Sequence, residues 1–502
     1  MSTNDQEIYR PNRIHRFGLT HFKAFNETAF LPIQPITVLA GLNSSGKSSV
    51  IDALLLLKQT LLAEKRVAER IVLDWTGPFF EVDLFSEIVY DKDFDGDFTI
   101  IFEIFYSVHS RHLRNEYIKA NLPSNVSHFF VRVDFRFGYF KHSDEQHIQP
   151  DILLTAFSEI DKEPFIKLRI VSSPWIEIAE LYNSKNEIIK NADLDSAIDF
   201  SYFLPVWEER ENLITSTEEK ERFEIYTVYR DLFQPAIQTI QDELLYHLKY
   251  LGPLREAPQR NYRQKHLRGD DVGAKGEDAV LLLQRYWTRQ VEFVELPQDK
   301  DKIVSWEKLR PVKMSLGQAV NEALHWLGMQ KLKPQEYSGS VQANFMTLSN
   351  ENTWVTIADV GFGVSQILPV LTHGLLSDTD SLLVFEQPEI HLHPRAQARL
   401  GELLVCLART GRRIIIETHS DHLINRLRRV VAEDLSDQLS DLVSIVFVQP
   451  PHLKEGAKLE PLRVNEEGII ENWPPGFLAE TAEDSKAIVK AQIRKRQTSS
   501  SH

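Results

Sequence analysis

ITVLAGLNSSGKSS, residues 36–49, decides the fold. Ile36 to Ala40 is an apolar run of strand length that ends at a glycine. A run this poor in polar groups, with the Thr37 hydroxyl alone among apolar side chains, predicts a strand buried on both faces. It passes straight into Gly41-Leu42-Asn43-Ser44-Ser45-Gly46-Lys47-Ser48-Ser49, and then into VIDALLLLKQTLLAEKRVAERIVL, which is rich in helix formers. G-x-x-x-x-G-K-S between a strand and a helix is the context of a phosphate-cradling P-loop. Its glycines let backbone N–H groups face phosphate oxygens, and the helix N-terminus adds a positive dipole end. Gly41, Asn43, Ser44, Ser45, Gly46, Lys47, Ser48 and Ser49 are the expected nucleotide-binding residues. Lys47 would reach the β- and γ-phosphates, and the Ser48 hydroxyl would ligate Mg²⁺. A glycine-rich turn without a ligand is the plainer reading, and the flanking strand and helix argue against it.

A second stretch, SLLVFEQPEIHLHP (381–394), has the same build with different chemistry. Leu382 to Phe385 is apolar; Glu386, Gln387, a proline and Glu389 follow. Open α/β sheets bind ligands at the carboxyl ends of their strands. The run is therefore either a core strand entering a turn or a strand that delivers acids to a metal–phosphate site. Two neighbours favour the second. DVGFGVSQ (359–366) leads two glycines and Ser365 into the apolar helical run ILPVLTHGLL, an anion-binding helix start. RRIIIETHS (412–420) is another buried strand, ending Glu417-Thr418-His419.

Composition bounds the rest. The 502 residues are 42% hydrophobic and 26% charged, enough for roughly three domains. Lys and Arg number 57 against 72 Asp and Glu, a net charge of -15. That argues against coating nucleic acid by bulk electrostatics and leaves room for a local basic groove. The single cysteine, Cys406, excludes a disulfide framework and sits in an apolar helical face as a core residue. The polar start lacks the apolar core of a signal peptide, and no run reaches membrane-span length, so the expected location is cytoplasmic.

Along the chain, residues 14–30 alternate and suggest an edge strand and a turn. Asp97 to Tyr106, Ser127 to Phe140, Ile152 to Phe157 and Pro164 to Val171 read as strands of a β-rich arm. DKDFDGD (91–97) reads as a solvated turn, because no EF-hand spacing follows. Residues 207–250 read as one or two long helices ending near Gly252-Pro253, and 277–329 as helical with Trp287 and Trp326 in the core. The stretch 251–276 is locally basic, with Arg255, Arg260, Arg263, Lys265, His266 and Arg268 around Tyr262. It either touches phosphates of DNA or a neighbour's nucleotide, or is a solvated loop, and the loop reading is favoured. Residues 338–347 and 353–358 return to strand. His391 and His393 are an interface turn in preference to metal ligands, and Trp473 is a packing anchor.

P-loop strand, Gly-Ser helix start, acid-ended strand and His-ended strand, in that order, resemble the ATP-binding heads of the ABC class, in particular the RecF/SMC/OLD-like branch. Gly41 to Ser48 match its Walker A, Gly361 to Gln366 the signature motif, Leu382 to Glu389 the Walker B region and His419 the switch histidine. LTHFKAF (19–25) matches the opening strand, and the NWPPGF tail is similar to a bacterial group that includes antiphage defence ATPases such as the Septu ATPase. The resemblance implies an α/β fold: a two-lobed head with a mixed sheet, flanking helices and an inserted β-rich and helical arm. The expected divisions are 1–75 (head with Walker A), 76–205 (β-rich), 206–335 (helical insertion), 336–448 (C-terminal lobe) and 449–502 (C-terminal segment with a disordered end).

It also implies ATP and Mg²⁺ as cofactors, the metal held by Ser48 and Glu386. Two heads would pair head-to-tail, with Gly363 and Ser365 of one closing on the nucleotide of the other. Glu386, Gln387, Glu389 and His419 would form the hydrolytic group. Many relatives carry Asp then Glu where this chain has Glu386 and Gln387; an amide orients water but is a poor proton acceptor, so turnover should be slow unless Glu389 or Glu417 serves. No lid glutamine is assigned. The implied functions are an ATPase controlling DNA or an effector nuclease in antiphage defence, an ATP-locked scaffold for a nuclease, or a RecF/SMC-like repair ATPase. An OLD-type nuclease activity is disfavoured because too few residues follow the head for a further metal-binding domain.

Overall fold

The apolar runs that precede each motif are the strands of one sheet. The computed structural model describes residues 12–474 except 64–72, 94, 108–117, 119–127, 143–144, 159–162, 173–176, 194–197, 202, 208–216, 264–266, 268, 297–305, 307–308, 338, 347–352, 435–438 and 453–454. In it Ile36–Ala40, Leu382–Glu386 and Arg413–Glu417 are strands with every residue buried. The six-stranded sheet runs Leu248–Leu251, Leu382–Glu386, Arg413–Glu417, Ile36–Ala40, Val443–Gln449, Lys458–Leu462. The first five strands are parallel and the sixth is antiparallel. Alternation explains why the interior of each run is almost wholly apolar. Leu383, Phe385, Ile414 and Ile416 enter one core, while Leu382, Val384 and Ile415 enter the other.

An eight-stranded antiparallel sheet closes the core that takes Leu382, Val384 and Ile415. Its order is Ala29–Pro32, Ile14–Thr20, Asp97–Ser107, His128–His142, Glu145–Ser158, Pro164–Ser172, Glu177–Tyr182, Ile188–Asp193. Phe17, Phe102, Phe135, Leu154 and Leu168 line its inner face, against the P-loop helix Lys47–Leu62. The α/β class and mixed sheet with flanking helices expected from the sequence are those observed. Among the described residues no helix is long and apolar enough to cross a membrane.

Several local expectations change. Ile14–Thr20 is not an edge strand, since it pairs on both sides; Ala29–Pro32 takes the edge. The helical run is broken into Thr217–Val228, a π-turn Tyr229–Phe233, Gln234–Asp242 and a second π-turn Glu243–His247. Pro235, which lacks an N–H, stands just after the first π-turn. The run then ends early, because Leu248–Leu251 is a strand beside Leu382–Glu386. Among the described residues of 277–329, Ala279–Tyr286 and Leu316–Trp326 are α-helices; Gln290–Val294 and Pro311–Ser315 pair as strands between them. Trp326 is buried and Trp287 packs against Gly317, as core residues should. Ser127 and residues 475–502 lie outside the described residues.

One guanidinium ties the two sheets together. Arg413, at the start of the His-ended strand, donates to the Ile14 carbonyl at 3.0 Å and forms a buried ion pair with Glu243. Arg413→Met leaves Glu243 unpaired in the interior and should lower stability by about 3–5 kcal/mol in urea unfolding. The double variant with Glu243→Met should recover most of that loss; no recovery would mean that the pair is not what the interior depends on.

Candidate functional site

The P-loop forms because its glycines occupy backbone space closed to other residues. Gly41 has φ 153° and Gly46 φ 104°. A Cβ on Gly41 would lie 2.7 Å from the Val448 carbonyl oxygen. Leu42, Asn43 and Ser44 are exposed, and Ser49 is half-buried on the first helical turn. The Lys47 ammonium folds back over the loop, donating to the carbonyls of Gly41 (3.2 Å) and Leu42 (2.7 Å). Burial lowers its pKa, and the Glu417 carboxylate opposes that shift. The Ser45 hydroxyl is buried without a hydrogen-bond partner. An orphan donor, a lysine and a helix N-terminus around one loop fit a phosphate.

Register builds the acidic half of the site. Glu386 and Glu417 end adjacent parallel strands as direct partners. Ser48 Oγ donates to Glu417 Oε2 at 3.2 Å, and Tyr250 OH donates to Glu386 Oε1 at 2.6 Å. Burial above all holds both pKa values above the ordinary carboxylate range, with Glu417 and Asp52 adding to it at Glu386 and Asp52 at Glu417; the Tyr250 bond at Glu386, and Lys47 with the Glu386 and Ser48 bonds at Glu417, work the other way. Asp52, one helical turn past Ser48, is raised by burial and salt-bridged by Lys23 at 2.7 Å. Buried acids that resist ionising beside a serine hydroxyl fit a divalent cation. Among the described residues no three His, Cys, Asp or Glu side chains form a metal cage. Mg²⁺ shared between one or two carboxylates and substrate phosphates needs none.

The turn after the acid-ended strand is held from both sides. Gln387 sits at φ 44°, a left-handed backbone that costs a non-glycine residue about 1 kcal/mol or more. Its N–H donates to the Glu417 carbonyl at 2.7 Å. Half-buried Arg255 clasps the carbonyls of Glu386 (2.9 Å) and Gln387 (3.2 Å). Glu389 Oε1 accepts from the Thr418 hydroxyl (2.6 Å) and the His419 N–H (3.1 Å), while its Oε2 is buried without a partner. Burial raises the Glu389 pKa. Exposed His419 is lowered, by burial and then by Lys47, and so stays neutral near pH 7.

The signature segment forms a second group. Its helix, Phe362–Leu376, is capped by Gly361, and Ser365 lies inside the first turns rather than at the cap. Ser365 is buried and its hydroxyl donates to the Phe362 carbonyl at 2.7 Å, so in the single chain it bonds the helix backbone. A Cβ on Gly363 would lie 2.9 Å from the His391 carbonyl, which seats the helix on the HLHP turn. The basic loop is also corrected at Arg255, which turns inward, and Arg260 is engaged by Asp359 at 2.6 Å. Arg263 is exposed; Lys265, His266 and Arg268 lie outside the described residues. Trp473 packs under Arg428, 4.9 Å from its ring centroid.

Tyr250, Asp52 and Lys23 are the site neighbours that sequence reasoning missed, and Arg255, read there as a loop cation, holds the turn after the acid-ended strand instead. Tyr250 was legible in principle: LKYL before Gly252-Pro253 is a short strand signal, masked by the helical run ahead of it.

A family model described as AAA ATPase domain matches residues 13–424. No curated protein matches the chain. Three solved structures overlap it. An SMC head bound to the C-terminal winged-helix domain of ScpA shares 12% identity over 90% of this chain and 98% of its own, at TM-score 0.37. The SMC head domain from Thermotoga maritima shares 11% over 90% and 100%, at 0.34. The SMC head with an extended coiled coil, bound to the C-terminal domain of ScpA from Pyrococcus furiosus, shares 11% over 96% and 99%, at 0.36.

The raised carboxyls set a pH dependence. Glu386 and Glu417 keep protons in the folded chain at pH values where the unfolded chain has lost them. The metal-free chain therefore loses stability as pH climbs from the ordinary carboxylate range through neutrality. Glu386→Gln keeps an acceptor for Tyr250 and removes one acid. It should raise metal-free stability at pH 8 by on the order of 1 kcal/mol and flatten the slope. An unchanged slope in urea melts from acid to alkaline pH would show that the fold does not hold a proton on Glu386.

Proposed function

We infer the function from one premise: this chain belongs to the AAA ATPase domain family. The reading supported best is a cytoplasmic head that binds ATP and turns it over slowly. Its ATP-dependent pairing with a second copy would control DNA or an effector, a nuclease above all, in bacterial antiphage defence. The observation that carries the catalytic part is that Ser48 and Lys47 meet Glu417, the direct strand partner of Glu386, at one sheet edge.

Residue roles follow from this chemistry. Lys47 would exchange the Gly41 and Leu42 carbonyls for phosphate oxygens, and the Ser45 hydroxyl would gain the partner it lacks. Mg²⁺, when bound, would neutralise phosphate charge, held by Ser48 and Glu386 with Glu417 beside them. Neutral His419 would donate to the γ-phosphate. Gln387, fixed by Glu417 and Arg255, would orient the attacking water without taking its proton. Glu389, with one buried oxygen unpartnered, is the nearby acid for that proton. Catalysis is then positioning and electrostatic stabilisation. In a head-to-tail pair the helix start at Gly361–Gly363 of the second copy would face the phosphates. Phe362, 61% exposed at that helix start, supports burial of this surface by a partner.

Gln387 also favours a second reading, in which ATP latches an oligomer closed and an associated nuclease acts. Lys47→Ala should abolish ATP binding in a direct titration; retained binding would sink the ATPase reading. Gln387→Glu supplies a proton acceptor and should speed turnover by at least roughly tenfold. If turnover and the lifetime of the ATP-bound complex both stay unchanged, the latch loses its basis.

A further inference from the structure

The outer face of the eight-stranded sheet carries a cavity of about 510 Å³ that the P-loop site does not use. Its floor is a matter of register. Arg16, Glu103, Arg132, Thr155 and Lys167 are successive direct partners on five neighbouring strands. Two residues along the strands, on the same face, Phe105, Phe130 and Phe157 are partners in the same way, with neighbouring ring centroids 5.3 and 5.5 Å apart. Two residues in the other direction is Asp134, opposite Ile101 and Leu153. A basic row therefore lies between an aromatic row and a carboxyl.

The charges are prearranged rather than spent. Both Glu103 oxygens are taken, one by Arg132 Nε at 2.9 Å and the other by Arg16 at 3.4 Å. These bonds hold the guanidinium planes over rings: Arg16 lies 4.5 Å from the Phe30 centroid, and Arg132 lies 5.4 Å from that of Phe157. Asp134 Oδ1 is buried, lines the cavity and has no hydrogen-bond partner. Leaving such an atom unpaired costs about 1–3 kcal/mol. Burial pushes the Asp134 carboxyl up to about 7 against the pull of Arg132.

A ligand that satisfies all three rows is planar, carries an N–H donor for Asp134 and bears a negative group for Arg16 and Lys167. Sheet faces that combine aromatic rings with cations bind single-stranded nucleic acid by stacking and phosphate contact. We propose that this cavity is a second nucleotide-unit site, separate from the P-loop, which takes a nucleobase and its phosphate from single-stranded nucleic acid or from a free nucleotide.

The Lys47→Ala chain removes the P-loop contribution and is titrated with AMP and with a short fluorescent oligo-dA. AMP binding identifies the free nucleotide as a source, and binding of oligo-dA alone identifies a strand; either supports the site. Asp134→Asn should weaken binding roughly tenfold, what one hydrogen bond to a charged group contributes, without lowering the urea midpoint. Lys167→Ala, on the cavity rim, should weaken it several-fold and serves if Asp134→Asn does not fold. Failure of both probes to bind, or binding unchanged in both variants, overturns the proposal.

Discussion

Everything at the sheet edge depends on the register that sets Glu386 beside Glu417. Parallel pairing slipped by one residue would send one carboxyl to the opposite face and its apolar neighbours into the wrong core. The register is therefore fixed by Leu383, Phe385, Ile414 and Ile416, which have no chemistry of their own. Two interacting acids kept out of water destabilise the chain that holds them. Lys47, Tyr250 and the Ser48 hydroxyl offset only part of that cost. A fold that keeps such a conflict at the carboxyl ends of its strands has it where a cation and a polyphosphate can relieve it.

The same edge stores strain in its backbone. Gln387 is left-handed because its N–H must reach the Glu417 carbonyl while its own carbonyl meets Arg255. Arg255 thus acts through main-chain oxygens, so its charge fixes a turn and contributes little to any outward field. Glu389 then locks that turn to Thr418 and His419. The loops after the acid-ended and His-ended strands consequently behave as one unit, and displacing His419 displaces Glu389 with it.

Three strands and their motifs were legible because each combines an almost wholly apolar run with an abrupt change to polar residues. Leu248–Leu251 was not, since four residues carry too little periodicity to stand out after a helical run. The pairing of Gln290–Val294 with Pro311–Ser315 was hidden for a related reason: its signal is a contact between distant residues, and 277–329 contains enough helix formers to suggest one element. Glu417 was legible as a strand end, but its bond to Ser48 was not, because which of two acids faces a hydroxyl depends on strand order. Ser365 shows a local ambiguity. A serine near a glycine suggests a cap, yet a serine in a helix can equally bond the carbonyl of an earlier residue, as it does here with Phe362.

The two sheets divide the polar burial between them. The three central strands of the six-stranded sheet are buried on both faces, with their carboxylates at the carboxyl ends and Arg413 at the opposite end. The eight-stranded sheet is apolar on one face only, and its other face carries cross-strand pairs such as Arg132–Glu103 and Arg169–Asp151. An antiparallel sheet tolerates that arrangement because its second face needs no helical cover. Arg413 joins the two, reaching the Ile14 carbonyl on one side and Glu243 on the other from the first residue of the His-ended strand. Since Ile14 belongs to the strand that also carries Arg16, the outer face and the nucleotide edge are separated by rigid strand and not by a loop. A shift of the His-ended strand along its axis would therefore move that strand of the outer sheet with it.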